Sequence, residues 1–148
     1  RGDTWHQTPE IHITGDIAGK EIAIGFLYRF EYVFSRFLIK QDQPDGTTST
    51  EDSGRLQLRR AWVNYERTGS FNIEVDNGRH AYNYVVNARI GSSGIRLGEK
   101  ATTTGQYRFP ITGNALNQKV TLSSFKASPV SIIGCGWEGN YMRRANGI

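Results

Sequence analysis

The chain has 148 residues, enough for one domain of ordinary size and not comfortably two. Its net charge of +4 comes from 18 basic residues scattered among 14 acidic ones, an excess too small and too dispersed to define a nucleic-acid-binding face. The single cysteine rules out an internally disulfide-stapled scaffold. No stretch approaches the roughly 18 consecutive apolar residues of a membrane span, so no membrane partner is expected, and no basic-then-apolar segment resembles a signal peptide.

Residues 1–20 are expected to form an N-terminal arm with one short strand, and residues 21–148 a β-rich domain. Arg1-Gly2-Asp3 matches the adhesion tripeptide, a match too common by chance to carry function. Because the chain begins at Arg1 rather than Met, it is expected to be a processed product or a piece of something longer. Ile11 and Ile13 alternate about His12 as a short strand, and Gly15 to Gly19 turns the chain.

The longest signal follows. From Glu21 to Lys40 apolar residues take every second place: Ile22, Ile24, Phe26, Tyr28, Phe30, Tyr32 and Phe34. Period two with β-branched and aromatic enrichment predicts a strand with one apolar face. The apolar set changes parity after Phe34, to Phe37 and Ile39, which predicts a bulge near Ser35 and Arg36. Gln41 to Gly54 reads as a loop with an Asp45-Gly46 turn, and the adjacent Glu51 and Asp52 as solvated rather than as an acid pair. Joined across this loop to Gly54–Val75, the run is expected to form the first arm of a long hairpin.

In the next strand Leu56 and Leu58 set one parity, and Ala61, Val63 and Tyr65 the opposite one. After a turn at Thr68-Gly69, Phe71, Ile73 and Val75 form another apolar face. Asp76-Asn77-Gly78 is a hairpin signal, because Asn-Gly accepts positive φ, and it pairs Tyr82, Tyr84 and Val86 back onto the Phe71 strand. Gly91 to Gly98 reads as a mobile loop without the Lys-Ser/Thr ending of a phosphate cradle. Tyr107, Phe109 and Ile111 form a short strand that Pro110 assigns to an edge or an end. Gly113-Asn114 turns the chain into a strand with Val120 and Leu122. Val130, Ile132, Ile133 and Trp137 are the last apolar group, with Glu138–Ile148 as a tail. Some eight strands without an amphipathic helix predict an all-β, antiparallel, sandwich-like domain.

Three segments in this order resemble the C-terminal part of the tail nozzle proteins of short-tailed phages, the tail tubular protein B family. They are IGFLYRFEYVFSRFLI (Ile24 to Ile39), GRLQLRRAWVNYERTGSFNIEV (Gly54 to Val75), and YRFP (Tyr107 to Pro110) with the later WEG (Trp137 to Gly139) and Arg143 and Arg144 behind it. The resemblance covers most of residues 21–148, while family members are several times longer. It implies a structural virion protein in the tail, a domain of a larger β-rich subunit. Six copies would form a ring below the adaptor and portal, with tail fibres nearby and viral DNA retained and conducted through the lumen. It also implies no cofactor and no catalytic residues. The residues agree, since no metal-spaced His/Cys cluster and no Ser elbow is present. Trp, Tyr and Arg are the usual anchors of protein interfaces, so Trp137, Glu138, Tyr141, Arg143 and Arg144, with Arg59 and Arg60, are the candidate subunit contacts. The competing assignment gives Trp137 to the core and Arg143 and Arg144 to solvent.

Two other functions compete. A carbohydrate- or receptor-binding β-sandwich requires Trp5, Trp62 and Trp137 together on one exposed face. A single-stranded nucleic-acid binder requires Tyr82, Tyr84 and Tyr107 with nearby arginines as a stacking platform. A catalytic Cys135 would need a positioned histidine, and sequence does not place His6, His12 or His80 beside it.

Overall fold

The computed structural model describes residues 12, 14–16, 18, 19, 25, 26, 28–50, 54–88 and 101–143. Trp5, the Ile11–Ile13 strand, Glu51 and Asp52, the Gly91–Gly98 loop and Arg144 fall outside them. The strands are β1 (Phe30–Val33), β2 (Lys40–Asp42), β3 (Thr48–Thr50), β4 (Gly54–Thr68), β5 (Ser70–Asp76), β6 (Ala81–Asn87), β7 (Thr103–Asn114), β8 (Lys119–Ser124) and β9 (Ile132–Arg143). One 3-10 turn, Ala115–Asn117, joins β7 to β8.

Two antiparallel sheets share one core. The first has the order β1-β8-β5-β6 and the second the order β7-β4-β9, while β2 and β3 pair only with each other. Leu56, Leu58, Ala61 and Val63 of β4 meet Phe71, Ile73 and Val75 of β5, Phe109 and Ile111 of β7, and Val120 and Leu122 of β8 in a single buried cluster. The Tyr65 and Phe71 rings meet edge-on at 5.4 Å between the sheets. Apart from the β5–β6 hairpin, each step from β4 onward carries the chain to the other sheet. Neither sheet can therefore bury its apolar face until distant segments are in place.

The crossing from β4 to β5 is locked by residues far along the chain. Arg67 takes the left-handed conformation at φ 46°. The Glu66 amide donates to the Ser131 carbonyl at 3.0 Å, and the Gly69 amide to the Pro129 carbonyl at 2.9 Å. The buried Thr68 hydroxyl donates to the Glu66 and Ser131 carbonyls at 3.0 and 3.2 Å and accepts from the Ser131 amide at 2.9 Å. A side chain at Gly69 would meet Cβ of Ser128 at 2.6 Å, so the crossing needs glycine there.

Two expectations hold in detail, and the parity switch in β4 acquires a cause. β6 returns onto β5 through the Asn77-Gly78 turn, with Tyr84 opposite Ile73 and Val86 opposite Phe71. Gly78 has φ 84°, and the Asn77 side chain accepts the Arg79 and His80 amides at 2.9 and 2.8 Å. Pro110 lies on an edge strand, β7, where its missing N–H breaks no second ladder, but that strand is not short: it runs twelve residues, through Pro110 and the expected turn at Gly113-Asn114. The parity switch in β4 coincides with a bulge: the pairing with β9 runs from Leu58↔Gly139 directly to Arg60↔Glu138.

The long run is the main correction. Among the described residues of that run, Phe30–Val33 forms a strand and Lys40 opens β2; Phe30–Val33 pairs with β8 (Tyr32↔Leu122) rather than with β4. The hairpin with Gly54–Val75 cannot form, because β7 and β9 occupy both edges of β4. The parity change after Phe34 marks the end of the strand rather than a bulge within it. Phe34, Phe37 and Ile39 then pack irregularly against the core. Phe26 and Tyr28 lie outside any strand and are 101% and 80% exposed. The expected loop holds the β2–β3 hairpin, whose turn has Gly46 at φ 82° and Asp45 accepting from the Thr47 amide at 2.9 Å. Glu138 to Arg143, expected as a tail, instead continue β9 along Gly54–Arg60.

Candidate subunit interface

The candidate contact residues lie on β4 and β9, and strand alternation divides them between two faces. On β9, Cys135, Trp137, Gly139 and Tyr141 stand opposite the inward residues Val63, Ala61, Leu58 and Leu56, while Gly136, Glu138, Asn140 and Met142 share the outward face with Trp62, Arg60, Gln57 and Arg55. Trp137 is half-buried against the core, its ring 6.0 Å from Phe37 in an edge-to-face contact. Tyr141 also packs on the core, its ring lying where a side chain on Gly54 would stand. These two aromatics hold β9 against the core, the place the competing assignment gave to Trp137 alone.

The outward residues form a different surface. The bulge leaves Arg59 and Arg60 both exposed in succession. Arg60 Nε stands 3.6 Å from Glu138 Oε2, with each side chain half-exposed. Such a pair contributes little to the stability of the isolated chain and leaves its charges available to a neighbour. Beside it the Trp62 indole lies across Gly136, in space that a β-carbon there would fill. Gln106 donates to Asn64 Oδ1 at 2.8 Å and Arg108 Nε to Gln106 Oε1 at 2.8 Å, so the outer face of this sheet carries an ordered polar ladder. Arg143 ends β9 opposite Gly54.

Trp62 and Trp137 therefore occupy opposite faces of one sheet and make no joint sugar-stacking surface. Tyr84 and Tyr107 do come together, but at the rim of the core, where the Tyr84 ring sits 6.0 Å from Phe109. Burial, reinforced by Tyr107 and Tyr82, pushes the Tyr84 phenol above its ordinary value. Partly buried rings of this kind do not form an open platform for bases. Cys135 is exposed, yet partial burial of its thiol raises it above its ordinary value, which weakens it as a nucleophile. Among the described residues no group of three His, Cys, Asp or Glu side chains is placed to hold a metal. Arg29 and Glu31 form an ion pair with each other at 2.5 Å, with the guanidinium also 4.8 Å from the Phe125 ring centroid.

The outward continuation of β9 was missed at sequence level, although a signal existed. Cys135, Trp137 and Tyr141 keep period two, but Gly139 in the same register and Gly136 between Cys135 and Trp137 hide it.

The chain matches the family model for the bacteriophage nozzle protein over residues 1–148. It is also similar to tail tubular protein gp12 of Escherichia phage T7, with 52% identity over 145 residues, covering 97% of this chain and 18% of that protein. The chain thus spans less than a fifth of the length of the curated relative it matches. A match along the whole chain, with such identity across nearly all of it, shows that the chain belongs to the bacteriophage nozzle protein family.

Proposed function

We propose that this chain is a structural part of a phage tail nozzle, located in the virion tail, and that it works by shape and packing rather than by catalysis. The observation that carries this is the 52% identity to a tail tubular protein over nearly the whole chain. In this reading six copies form a ring, joined to the remaining part of the nozzle subunit, and contact the tail adaptor and fibres. The genome is retained by the tube and leaves through it. A ring needs head-to-tail contacts, in which one patch meets a different patch on the next copy. Arg59, Arg60 and Glu138 suit the rim of such a contact, because they are outward, charged and unneeded by the core. Trp137 and Tyr141 serve it indirectly by holding β9 in place, and the charges of Arg143 and Arg144 are offered to a partner.

Phage particles assembled without this chain test the role. The expected result is particles that package DNA but lose it, read as a fall in nuclease-protected DNA per particle. Particles that keep a full complement of protected DNA and infect normally would overturn the assignment.

A further inference from the structure

The two long sides of the sandwich differ. On one, between β6 and β7, the Tyr84 and Phe109 rings bridge the sheets. On the other, β1 and β9 are both edge strands, and among the described residues nothing pairs with their outer edges. A groove of about 490 Å³ runs between them. Buried Leu122 and half-buried Phe30, Phe34 and Ile132 line it, with Tyr32 and Ile133, 53% and 62% exposed, at its rims.

On this side β9 lacks the usual protection of a sheet edge, whereas β1 is short and carries Glu31. Charged residues, proline and short strands normally discourage strand-to-strand association. β7 has Pro110, but the half of β9 along the groove, Ile132 to Trp137, contains neither charge nor proline. Such an edge accepts an extended segment, whose backbone joins the sheet while alternate side chains enter the apolar space.

The same chain carries side chains of the matching kind without a place for them. Phe26 and Tyr28 are two residues apart, so they share one side of an extended segment, and both project into solvent. They precede β1 just beyond Arg29, which its contacts with Glu31 and Phe125 tie to its own sheet. A space of about 490 Å³ is of the size that takes a drug-sized ligand, and two aromatic side chains fit it.

We propose that the groove between β1 and β9 receives an extended segment of a second copy of this chain, with Phe26 and Tyr28 filling the apolar space. Repeated from copy to copy, this is a head-to-tail contact that closes into a ring when the rotation allows. The inference rests on the reading of the chain as a ring-forming subunit and names the contact that builds the ring.

The native thiol supplies the test, because Cys135 lines the groove and is the only cysteine in the chain. Tyr28→Cys is made in the full chain and treated with a short bis-maleimide. The expected product is a ladder of covalent dimers and larger species on a denaturing gel, reduced to dimers at most when Cys135→Ser is added. A product that stays at monomer mass, or no product, overturns the proposal. The native mass of the untreated wild type separates the two claims: a ring without a ladder leaves the nozzle reading standing and removes this contact. As a second measurement, the Phe26→Ser/Tyr28→Ser variant changes only exposed residues and is expected to keep wild-type circular dichroism. Its self-association should weaken by at least about tenfold. Unchanged association would overturn the proposal equally.

Discussion

Replacing Gly139 with alanine probes the join between β4 and β9 at the bulge. A β-carbon at Gly139 would collide with the Gln57 carbonyl oxygen and stand 3.2 Å from the Gln57 carbonyl carbon and Leu58 Cα. These are backbone atoms of the paired strand, so no side-chain rotation relieves the clash and the strands must separate locally. Overpacking of this kind costs about 1–3 kcal/mol. Alanine recovers about 0.5–1 kcal/mol by restricting the unfolded chain, so the net loss is on the order of 1–2 kcal/mol. For a chain of this size that lowers Tm by about 3–8 °C. The assay is urea unfolding followed by fluorescence, where the midpoint should fall without a change in slope. Gly134→Ala is the internal control on the same strand. Its added β-carbon would meet only Asn64 Nδ2, at an ordinary 3.7 Å, and it should raise stability by about 0.4–1 kcal/mol. If both substitutions shift the midpoint in the same direction by the same amount, the close approach at Gly139 is wrong.

Thr68→Val keeps the shape of a buried residue but leaves the Ser131 amide without its acceptor; it should cost about 1–3 kcal/mol, and a neutral result by thermal unfolding would show that the crossing is not locked by that hydroxyl. Burial raises the Cys135 thiol, so the protonated form persists to higher pH than for an ordinary cysteine. Alkylation by iodoacetamide should therefore reach half its limiting rate above about pH 8.5, the value for a free thiol, and a midpoint below that would contradict the placement. Arg60→Ala removes half of a half-exposed ion pair, so it should change chain stability by less than about 0.5 kcal/mol while weakening assembly measured by native mass spectrometry. A large loss of stability with intact assembly would assign Arg60 to the fold instead.

Local chemistry explains what could be seen in advance. The β5–β6 hairpin was legible because Asn77-Gly78 joins two alternating runs that need only each other. The switch of parity from Leu56 and Leu58 to Ala61 and Val63 was legible, but the bulge at Arg59 that causes it was not inferred. The run before Lys40 misled because alternation reports a capacity to pair, not a partner. β4 is saturated by β7 and β9, whose segments follow it by tens of residues, so Phe26 and Tyr28 were left without a sheet. The division of the interface residues was hidden for a related reason. Without the β4–β9 register nothing indicates that Trp137 faces inward and Glu138 outward. Gly134, Gly136 and Gly139 obscured the last strand because they carry no side chain to mark its alternation; two of them pack through that lack, Gly136 under the Trp62 indole and Gly139 against the Gln57 carbonyl.

Cryo-electron microscopy of the tail that contains this chain tests the central claim most directly. The account predicts the two-sheet domain repeated around the tail axis, with the β1–β9 side at each boundary between copies. A tail map without this domain, or one in which the domain occurs as isolated single copies away from the axis, would contradict it.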